Sequence, residues 1–222
     1  MSQVMLIAAT QPLMLSDVES AEELVAYCAR VSNPENQANH ETAPRLLNYL
    51  AKNHHWSPFE MAHIVMEITT TRDIARQILR HRSFSFQEFS QRYSVVAAEP
   101  VIREARMQDH KNRQNSLELQ PGESDDLNEA WAVAQTSVAQ YAQEVYEAAL
   151  AHGIAKEVAR AVLPEGMTQS RMYMAGSVRS WIHYVQLRTG NGTQKEHREI
   201  AEMCREVLLF VMPSLKGILD GE

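Results

Sequence analysis

The 222-residue sequence contains only two cysteines, Cys28 and Cys204, and neither stands in a C-x-x-C or other metal-ligand spacing. Both fall within helix-like patterns, which predicts free thiols that are buried or half-buried and indicates a reducing compartment. Long apolar runs are also missing, because the run at residues 4–9 is too short to span a bilayer and follows no basic segment. The sequence therefore predicts a cytoplasmic protein without a membrane partner, and residues 4–9 are interpreted as a first strand.

The sequence also lacks an excess of positive charge. Its 21 lysines and arginines are outnumbered by 28 aspartates and glutamates, which gives a formal net charge of −7. A general nucleic-acid binder is usually basic or carries a long basic stripe, so we expect no nucleic-acid partner. Hydrophobic residues make up 45% and charged residues 22%, the proportions of a soluble globular protein with a real core. The length suits one domain over residues 1–222.

No G-x-G-x-x-G sequence occurs, so a doubly wound dinucleotide-binding domain is not expected. The apolar periodicity and the turn residues instead predict a helix-rich α+β fold with a modest, mostly antiparallel sheet. Strands are predicted at residues 4–9, 62–71, 92–96 and 101–107, and helices at 21–31, 42–53, 72–82, 127–152, 158–163, 176–188 and 193–209. The polar segment 111–126 contains Pro121-Gly122 and is interpreted as a surface loop or insertion.

Arginines are concentrated on one face of the predicted helix 72–82. Arg72, Arg76 and Arg80 recur every four residues, so they share one stripe. Like charges at this spacing repel each other and destabilise the helix unless an anion neutralises them. The alternative is a solvated basic face with ordinary carboxylate partners.

The segment that follows, residues 83–93, combines hydroxyls, amides, a carboxylate and an arginine with aromatic rings. Arginine binds phosphate through two parallel hydrogen bonds, and hydroxyls and amides complete the recognition of a phosphate or a ring. The composition therefore favours a pocket for a polar, planar, phosphorylated ligand. For the aromatic residues, packing in the core is the more common alternative to stacking on a ligand; they are Phe84, Phe86 and Phe89.

One motif within these segments is specific. Arg80-His81-Arg82, followed after seven residues by Ser90, matches R-H-R-x7-S, and the sequence thereby resembles the flavin-dependent thymidylate synthases. The resemblance continues through residues 55–60, 158–164, 177–188 and 194–196, in the family's order, and leaves residues 111–126 uncovered. Further matching positions are Ser85, Glu88, Arg92 and Tyr93, whereas Gln87, Met61, Thr193 and His183 depart from the commoner family residues.

The resemblance implies reductive methylation of dUMP to dTMP. In this family 5,10-methylenetetrahydrofolate supplies the carbon unit, NADPH reduces a bound FAD, and tetrahydrofolate is released. The resemblance further implies a homotetramer whose active sites are shared between subunits. It implies no metal site.

The resemblance assigns the catalytic role to Arg188. Neither cysteine stands in a recognisable catalytic setting, so polarisation of the uracil is a more economical route than addition of a thiol. A permanent positive charge near the N3/O4 edge favours ionised uracil, and preorganised stabilisation of this kind contributes about 3–4 kcal/mol. Without the resemblance, Arg188 would be read as a cation at the C-terminus of a helix.

Other roles also come from the resemblance alone. Ser90 is expected to bind substrate and not to act as a covalent nucleophile, and His55 is expected near the folate or flavin face. The residues expected to contact dUMP are Gln77, Ile78, Leu79, Arg80, Glu88, Phe89, Ser90, Gln91, Arg92, Arg160 and Arg188. Those expected to contact FAD are Ser57, Arg80, His81, Arg82, Glu88, Ser177, Arg179 and His183.

Two other functions are open on the residues alone. The first is a non-catalytic nucleotide- or RNA-binding protein that uses the arginine face, which predicts salt-sensitive binding of polyanions and a colourless protein. The second is a metallohydrolase that uses some of the nine histidines, although no H-E-x-x-H motif occurs.

Overall fold

The computed structural model describes residues 2–96, 99–120 and 124–220. Its main sheet has four antiparallel strands in the order β1-β2-β6-β3, and two short strands, β4 and β5, pair separately as a hairpin. The strands are β1 (Gln3–Ala9), β2 (His63–Thr71), β3 (Ser85–Glu88), β4 (Arg106–Gln108), β5 (Ser116–Glu118) and β6 (Gln169–Ser177). This arrangement confirms the predicted α+β fold with an antiparallel sheet.

Eight α-helices lie in the described parts of the chain. They are α1 (Ala21–Ala29), α2 (Ala43–Lys52), α3 (Arg72–Ile78), α4 (Ser124–Ala151), α5 (Lys156–Ala159), α6 (Val178–Arg188), α7 (Lys195–Val211) and α8 (Lys216–Asp220). Short 3-10 turns cover Pro34–Asn36, Ser57–Glu60, Arg160–Val162 and Pro213–Leu215. No helix in the described parts of the chain is long and apolar enough to cross a membrane.

The core lies between the sheet and helices α6 and α7. Strand β2 alternates, so that Ile64, Met66 and Ile68 are fully buried on one face while the residues between them are partly exposed. Burying an aliphatic side chain of this size contributes about 1.5–3 kcal/mol. Trp181 of α6 donates from Nε1 to the Ile64 carbonyl at 3.1 Å, which fixes the helix on the sheet. Cys204 of α7 is fully buried and Cys28 of α1 is half-buried, and both are free, as predicted.

The connections between strands and helices position the candidate site. Strands β2 and β6 pair antiparallel from His63↔Ser177 to Thr71↔Gln169. Helix α3 follows the last residue of β2, and α6 follows the last residue of β6. The two helices therefore begin at opposite ends of the strand pair. The last residue of α6, Arg188, contacts His81 in the turn that follows α3.

The predicted helix 72–82 is wrong at its C-terminal end. Helix α3 ends at Ile78, and the chain tightens into a turn in which the His81 amide donates to the Ile78 carbonyl at 3.0 Å. The turn leads into β3, and Phe84 just before this strand and Phe86 within it pack against the core as expected for them. Burial of these rings against β6 and α6 thus outweighs the helical tendency of residues 79–82.

The predicted strand at residues 92–96 is also wrong. This segment forms a turn, because the amides of Tyr93 and Ser94 both donate to the Ser90 carbonyl at 3.2 and 3.1 Å. Of the predicted partner strand at residues 101–107, only residues 106 and 107 lie in a strand, and that strand, β4, pairs with β5. Three strands were missed, β3, β5 and β6, and the helix predicted from residue 176 begins at Val178.

The predicted loop 111–126 is only partly a loop. It contains strand β5 and the first residues of α4, while Pro121 and Gly122 lie outside the described residues. Just before this segment, Asp109 anchors a turn by accepting from the amides of Lys111 and Asn112 at 2.8 and 3.1 Å. The remaining predicted strands and helices agree with the structure to within three residues at each end.

Candidate active site

The predicted nucleotide-binding residues fall into two groups within one chain. Gln77, Arg80 and Arg188 line a cavity of about 410 Å³, which we call the Arg188 pocket. Gln91 and Arg160 line another of about 330 Å³, which we call the Arg160 pocket. The two pockets have no lining residue in common.

Arg188 is the last residue of α6 and is held by His81. Its Nε donates to His81 Nε2 at 2.9 Å, so the imidazole must be neutral with its proton on Nδ1. Burial, reinforced by the Arg188 guanidinium, lowers the pKa of His81 to about 4. The His81 ring also meets the Tyr184 ring edge-on, with centroids 4.9 Å apart. Among the described residues nothing hydrogen-bonds the two terminal nitrogens of Arg188, which leaves its planar fork available to a ligand.

A directional chain of hydrogen bonds orients the Gln77 amide. Gln77 Oε1 can only accept, so His197 Nδ1, 3.3 Å away, is the donor. The other ring nitrogen of His197 then accepts from the Tyr184 hydroxyl at 3.1 Å. Gln77 Nε2 donates to Gln194 Oε1 at 2.8 Å. The second N–H of Gln77 has no described partner, and the Arg188 pocket is lined by three donor side chains, those of Gln77, Arg80 and Arg188.

The chain of hydrogen bonds ends on a carboxylate. Gln194 Nε2 donates to Glu196 Oε2 at 2.9 Å, and Glu196 also pairs with Arg106. At the other end His197 is fully buried, and its pKa is lowered to about 3 by burial and by the nearby Arg188 and His81. A neutral His197 matches the donor and acceptor roles that its two neighbours require.

The three regularly spaced arginines, Arg72, Arg76 and Arg80, differ in their partners. Arg72 lies 3.6 Å from Glu88, and Arg76 pairs with Glu165. Both arginines therefore have carboxylate partners, as the alternative interpretation of an ordinary basic face supposed. Arg80 is exposed in the turn after α3 and has no carboxylate partner among the described residues. Of the three, Arg80 is the cation free to meet an anionic ligand.

The Arg160 pocket contains an unpartnered donor. Gln91 is only 3% exposed, and its Nε2 has no hydrogen-bond partner among the described residues. Arg92 pairs with Glu157 at 3.1 Å, and the Ser90 hydroxyl accepts from the Arg92 amide at 3.4 Å. A buried N–H without an acceptor is unfavourable, so this pocket is suited to a ligand that carries acceptor oxygens.

The hydrophobic members of the predicted set are placed differently. The Ile78 side chain is fully buried in the core, so only its backbone can meet a ligand. Leu79 caps α3 and is half-buried, and the Phe89 amide donates to the Arg171 carbonyl at 2.8 Å in a ladder beyond β3. Glu88 accepts from the Ser170 hydroxyl at 2.7 Å, which holds its carboxylate at the sheet edge.

Four of the eight predicted flavin contacts lie around the start of α6. Ser177 caps this helix by accepting from the Ser180 amide at 3.3 Å, and Arg179 in its first turn pairs with Glu60. His183 lies with its ring centroid 4.8 Å from that of Trp56, and burial lowers the pKa of His183. Ser57 begins the adjacent 3-10 turn. Exposed Arg82 follows the turn after α3 and supplies a cation of the kind that a diphosphate requires.

Sequence reasoning missed the supporting roles of Tyr184, Gln194 and His197. One signal was present, since Tyr184 and Arg188 are four residues apart and share a face of α6. The contact between α6 and α7 that brings Tyr184 to His197 is a tertiary one, and no local pattern indicates it. Among the described residues no group of three or more His, Cys, Asp or Glu could hold a metal ion.

The sequence is similar to a known protein family and to individual proteins of that family. The family model described as thymidylate synthase complementing protein matches residues 13–214. The chain is 51% identical over 215 residues to a probable flavin-dependent thymidylate synthase of Paramecium bursaria Chlorella virus 1, covering 97% of each. It is also 51% identical over 220 residues to the flavin-dependent thymidylate synthase of a Synechocystis strain, covering 98% of this chain and 99% of that relative.

A solved structure shares the fold. The UMP/dUMP methylase PolB from Streptomyces cacaoi, bound with 5-Br dUMP, superposes with a TM-score of 0.82 at 26% identity. The match covers 96% of this chain and 92% of that chain.

Proposed function

Because the chain belongs to the flavin-dependent thymidylate synthase family, we propose that it methylates dUMP to dTMP with 5,10-methylenetetrahydrofolate as carbon donor and FAD as cofactor. NADPH would be the reductant of the bound flavin, and tetrahydrofolate would be the folate product. One observation supports this proposal above all: Arg188 donates a hydrogen bond to the neutral His81 ring. This bond orients a permanent cation in a pocket that Gln77 and Arg80 also line.

Arg188 activates the uracil. Its guanidinium fork, fixed at Nε by His81, faces the N3/O4 edge of the ring and stabilises the negative charge that makes C5 nucleophilic. C5 then takes up the one-carbon unit and loses its proton. A flavin bound at this site would supply the hydride that completes the reduction of this unit to a methyl group.

A thiol route to the same nucleophile has no support in the described residues. Cys204 is fully buried, and burial raises its pKa far above the usual range, so it carries no thiolate at neutral pH. Cys28 lies in α1, and its pKa is also raised by burial. Neither thiol lines the Arg188 pocket.

The remaining proposed contacts to dUMP come from the Arg160 pocket and its surroundings. Arg160 and Arg92 provide cations for the phosphate, while Ser90 and the unpartnered Gln91 amide provide donors. The backbone of residues 78–79 and of residue 89, together with the Glu88 carboxylate, completes the proposed set.

We infer that the active site is shared between subunits of a homotetramer. The Arg188 pocket and the Arg160 pocket are separate within one chain, yet both contain residues proposed to bind one small nucleotide. Pairing the Arg188 pocket of one subunit with the Arg160 pocket of another joins them. A bound flavin would be held by Arg80, His81, Arg82 and Glu88, and by Ser57, Ser177, Arg179 and His183. His55, beside the Ser57 turn, is proposed near the folate or flavin face.

The visible absorption spectrum of the purified protein tests this function. We expect flavin bands that NADPH bleaches and air restores, with dTMP formed when dUMP and methylenetetrahydrofolate are added. A protein that stays colourless after reconstitution with FAD, and that binds polyanions in a salt-dependent way, would instead be a nucleotide- or RNA-binding protein. The Arg188→Ala variant is the matched control, because it should keep the flavin bands and lose dTMP formation.

A further inference from the structure

A third cavity, of about 910 Å³, lies between the β4–β5 hairpin, helix α4 and the start of α7. We call it the hairpin cavity. Its size is within the usual range for small-molecule sites, about 300–1,000 Å³. None of the residues proposed above to contact dUMP or the flavin lines it.

The charges on its wall do not balance. Among the lining cations, Arg103 pairs with Asp73, Arg106 pairs with Glu196, and Lys195 pairs with both Glu104 and Glu118. The two others are Arg113, in the exposed turn of the hairpin, and Arg198, half-buried on α7. No other described residue hydrogen-bonds or ion-pairs with either side chain. Five cations therefore face four carboxylates, and the guanidinium groups of Arg113 and Arg198 have no ion-paired carboxylate, although Arg198 is close enough to Glu118 to help lower the pKa of that carboxyl.

Two further donors on the wall lack acceptors. Arg103 Nε and Arg106 Nη1 are buried and have no hydrogen-bond partner among the described residues, although the Glu196 carboxylate lies 3.8 Å from Arg103 Nε. Buried N–H groups of cations are seldom left without an acceptor, so these atoms indicate a place for anionic oxygen atoms. On the same wall Trp131 keeps 46% of its surface exposed and offers an aromatic face to a planar ring.

The hairpin cavity adjoins the Arg188 pocket. Gln114 and Gln194 line both. An elongated molecule held in the hairpin cavity can therefore reach the place where the chemistry is proposed to occur. Gln194 also orients Gln77 through their 2.8 Å hydrogen bond, so the residue between the two spaces belongs to the active-site framework.

We propose that the hairpin cavity binds the anionic end of a ring-bearing co-substrate, whose reactive end enters the Arg188 pocket. This inference rests on the proposed function, which requires two such molecules. Both carry several negatively charged oxygens and a planar ring. The phosphates of the nicotinamide dinucleotide and the glutamate carboxylates of the folate are the two sources of that charge.

The test is equilibrium binding of NADP⁺ and of tetrahydrofolate, each to protein loaded with FAD and dUMP. The variants are Arg198→Ala and Arg113→Ala; the second removes an exposed side chain, so it should fold even if the first does not. Each is expected to weaken one of the two ligands about tenfold, the effect of losing one charge-assisted contact, while dUMP affinity stays unchanged. Arg45→Ala is the matched control, because Arg45 is exposed on α2 and lines none of the three cavities.

The two ligands distinguish the two sources of charge. Weaker NADP⁺ binding alone assigns the cavity to phosphates, and weaker tetrahydrofolate binding alone assigns it to carboxylates. The assigned ligand should also quench the fluorescence of Trp131, which the Trp131→Phe variant removes. If both affinities match those of Arg45→Ala while the wild type makes dTMP, the cavity inference fails and the proposed function stands. If the wild type makes no dTMP with bound flavin, the proposed function fails first.

Discussion

At the scale of the single residue, Arg188 depends on the shape of its side chain as much as on its charge. The Nε hydrogen bond to His81 fixes the plane of the guanidinium, and that bond requires a neutral imidazole. A lysine keeps a positive charge but has neither the Nε donor nor the planar fork.

The Arg188→Lys variant therefore tests the activating role. We expect kcat to fall by about a hundredfold or more, in line with the loss of one preorganised electrostatic contact, and dUMP affinity to change less. Steady-state kinetics and equilibrium titration with dUMP separate the two effects. A large loss of dUMP affinity with near-normal kcat would show that Arg188 only binds substrate.

His197 is the second residue on which the site depends. It is fully buried, and it fixes the direction of the Gln77 amide by donating to Oε1. In His197→Leu the Gln77 oxygen loses its partner, and we expect KM for dUMP to rise about tenfold, since an unpaired buried acceptor costs about 1–3 kcal/mol. His197→Asn keeps an N–H near Nδ1 and should restore KM to within a few-fold of the wild type. Equal KM values for the two variants would mean that His197 only fills space.

The same residue makes stability sensitive to acid. The pKa of His197 falls from 6.5 to about 3 on folding, so between those values the unfolded chain binds a proton that the folded chain does not. The free energy of unfolding should thus fall as pH drops, by roughly 2 kcal/mol from this residue between pH 7 and pH 5. Denaturant unfolding of the wild type and of His197→Asn at the two pH values measures the contribution. An identical pH dependence in both proteins would contradict it.

At the scale of the elements, the site depends on strand β3, which was not predicted from the sequence. Phe84 leads into β3 and packs against Trp181, with ring centroids 4.8 Å apart. Opposite it on β6 stands Gly176, where a Cβ would lie 2.5 and 2.7 Å from two carbons of the Phe84 ring. The absence of a side chain at residue 176 lets β3, and with it the turn of Arg80-His81-Arg82, approach the sheet.

The Gly176→Ala variant tests this packing. The Phe84 ring cannot move away without losing its contact with Trp181, so we expect a loss of about 1–3 kcal/mol in the free energy of unfolding. Urea unfolding at neutral pH provides the measurement. Gly190→Ala is the control, because the nearest atom to a Cβ there is a carbonyl oxygen at an ordinary 3.6 Å. Equal stabilities for the two variants would refute the account of close approach.

The elements show what local pattern can and cannot predict. Strand β2 and helices α2 and α4 have long, clear periodicities, and the sequence predicted them to within three residues. Strand β6 was missed because its residues 169–177 include no β-branched side chain, although residues 172–175 form a short apolar run. The hydrogen bond between His81 and Arg188 joins residues 107 positions apart, and only the antiparallel pairing of β2 with β6 brings them together.

At the scale of the whole molecule, the separation of the two pockets has a testable consequence. If each site combines the Arg188 pocket of one subunit with the Arg160 pocket of another, Arg188→Ala and Arg160→Ala damage different halves of it. Each variant should be nearly inactive alone. Mixed subunits, dissociated and reassembled together, should regain activity at sites that receive both intact halves. Activity of the mixture that stays at the level of the separate variants would place the complete site within one chain.

The most direct test of the central claim is the identity of both products in one reaction. Protein reconstituted with FAD is given dUMP, methylenetetrahydrofolate and NADPH, and the nucleotide and folate products are quantified. The account predicts dTMP in equal amount to tetrahydrofolate, with no dihydrofolate and no product when FAD is left out. Formation of dihydrofolate together with dTMP, or no dTMP with the flavin fully bound, would contradict it.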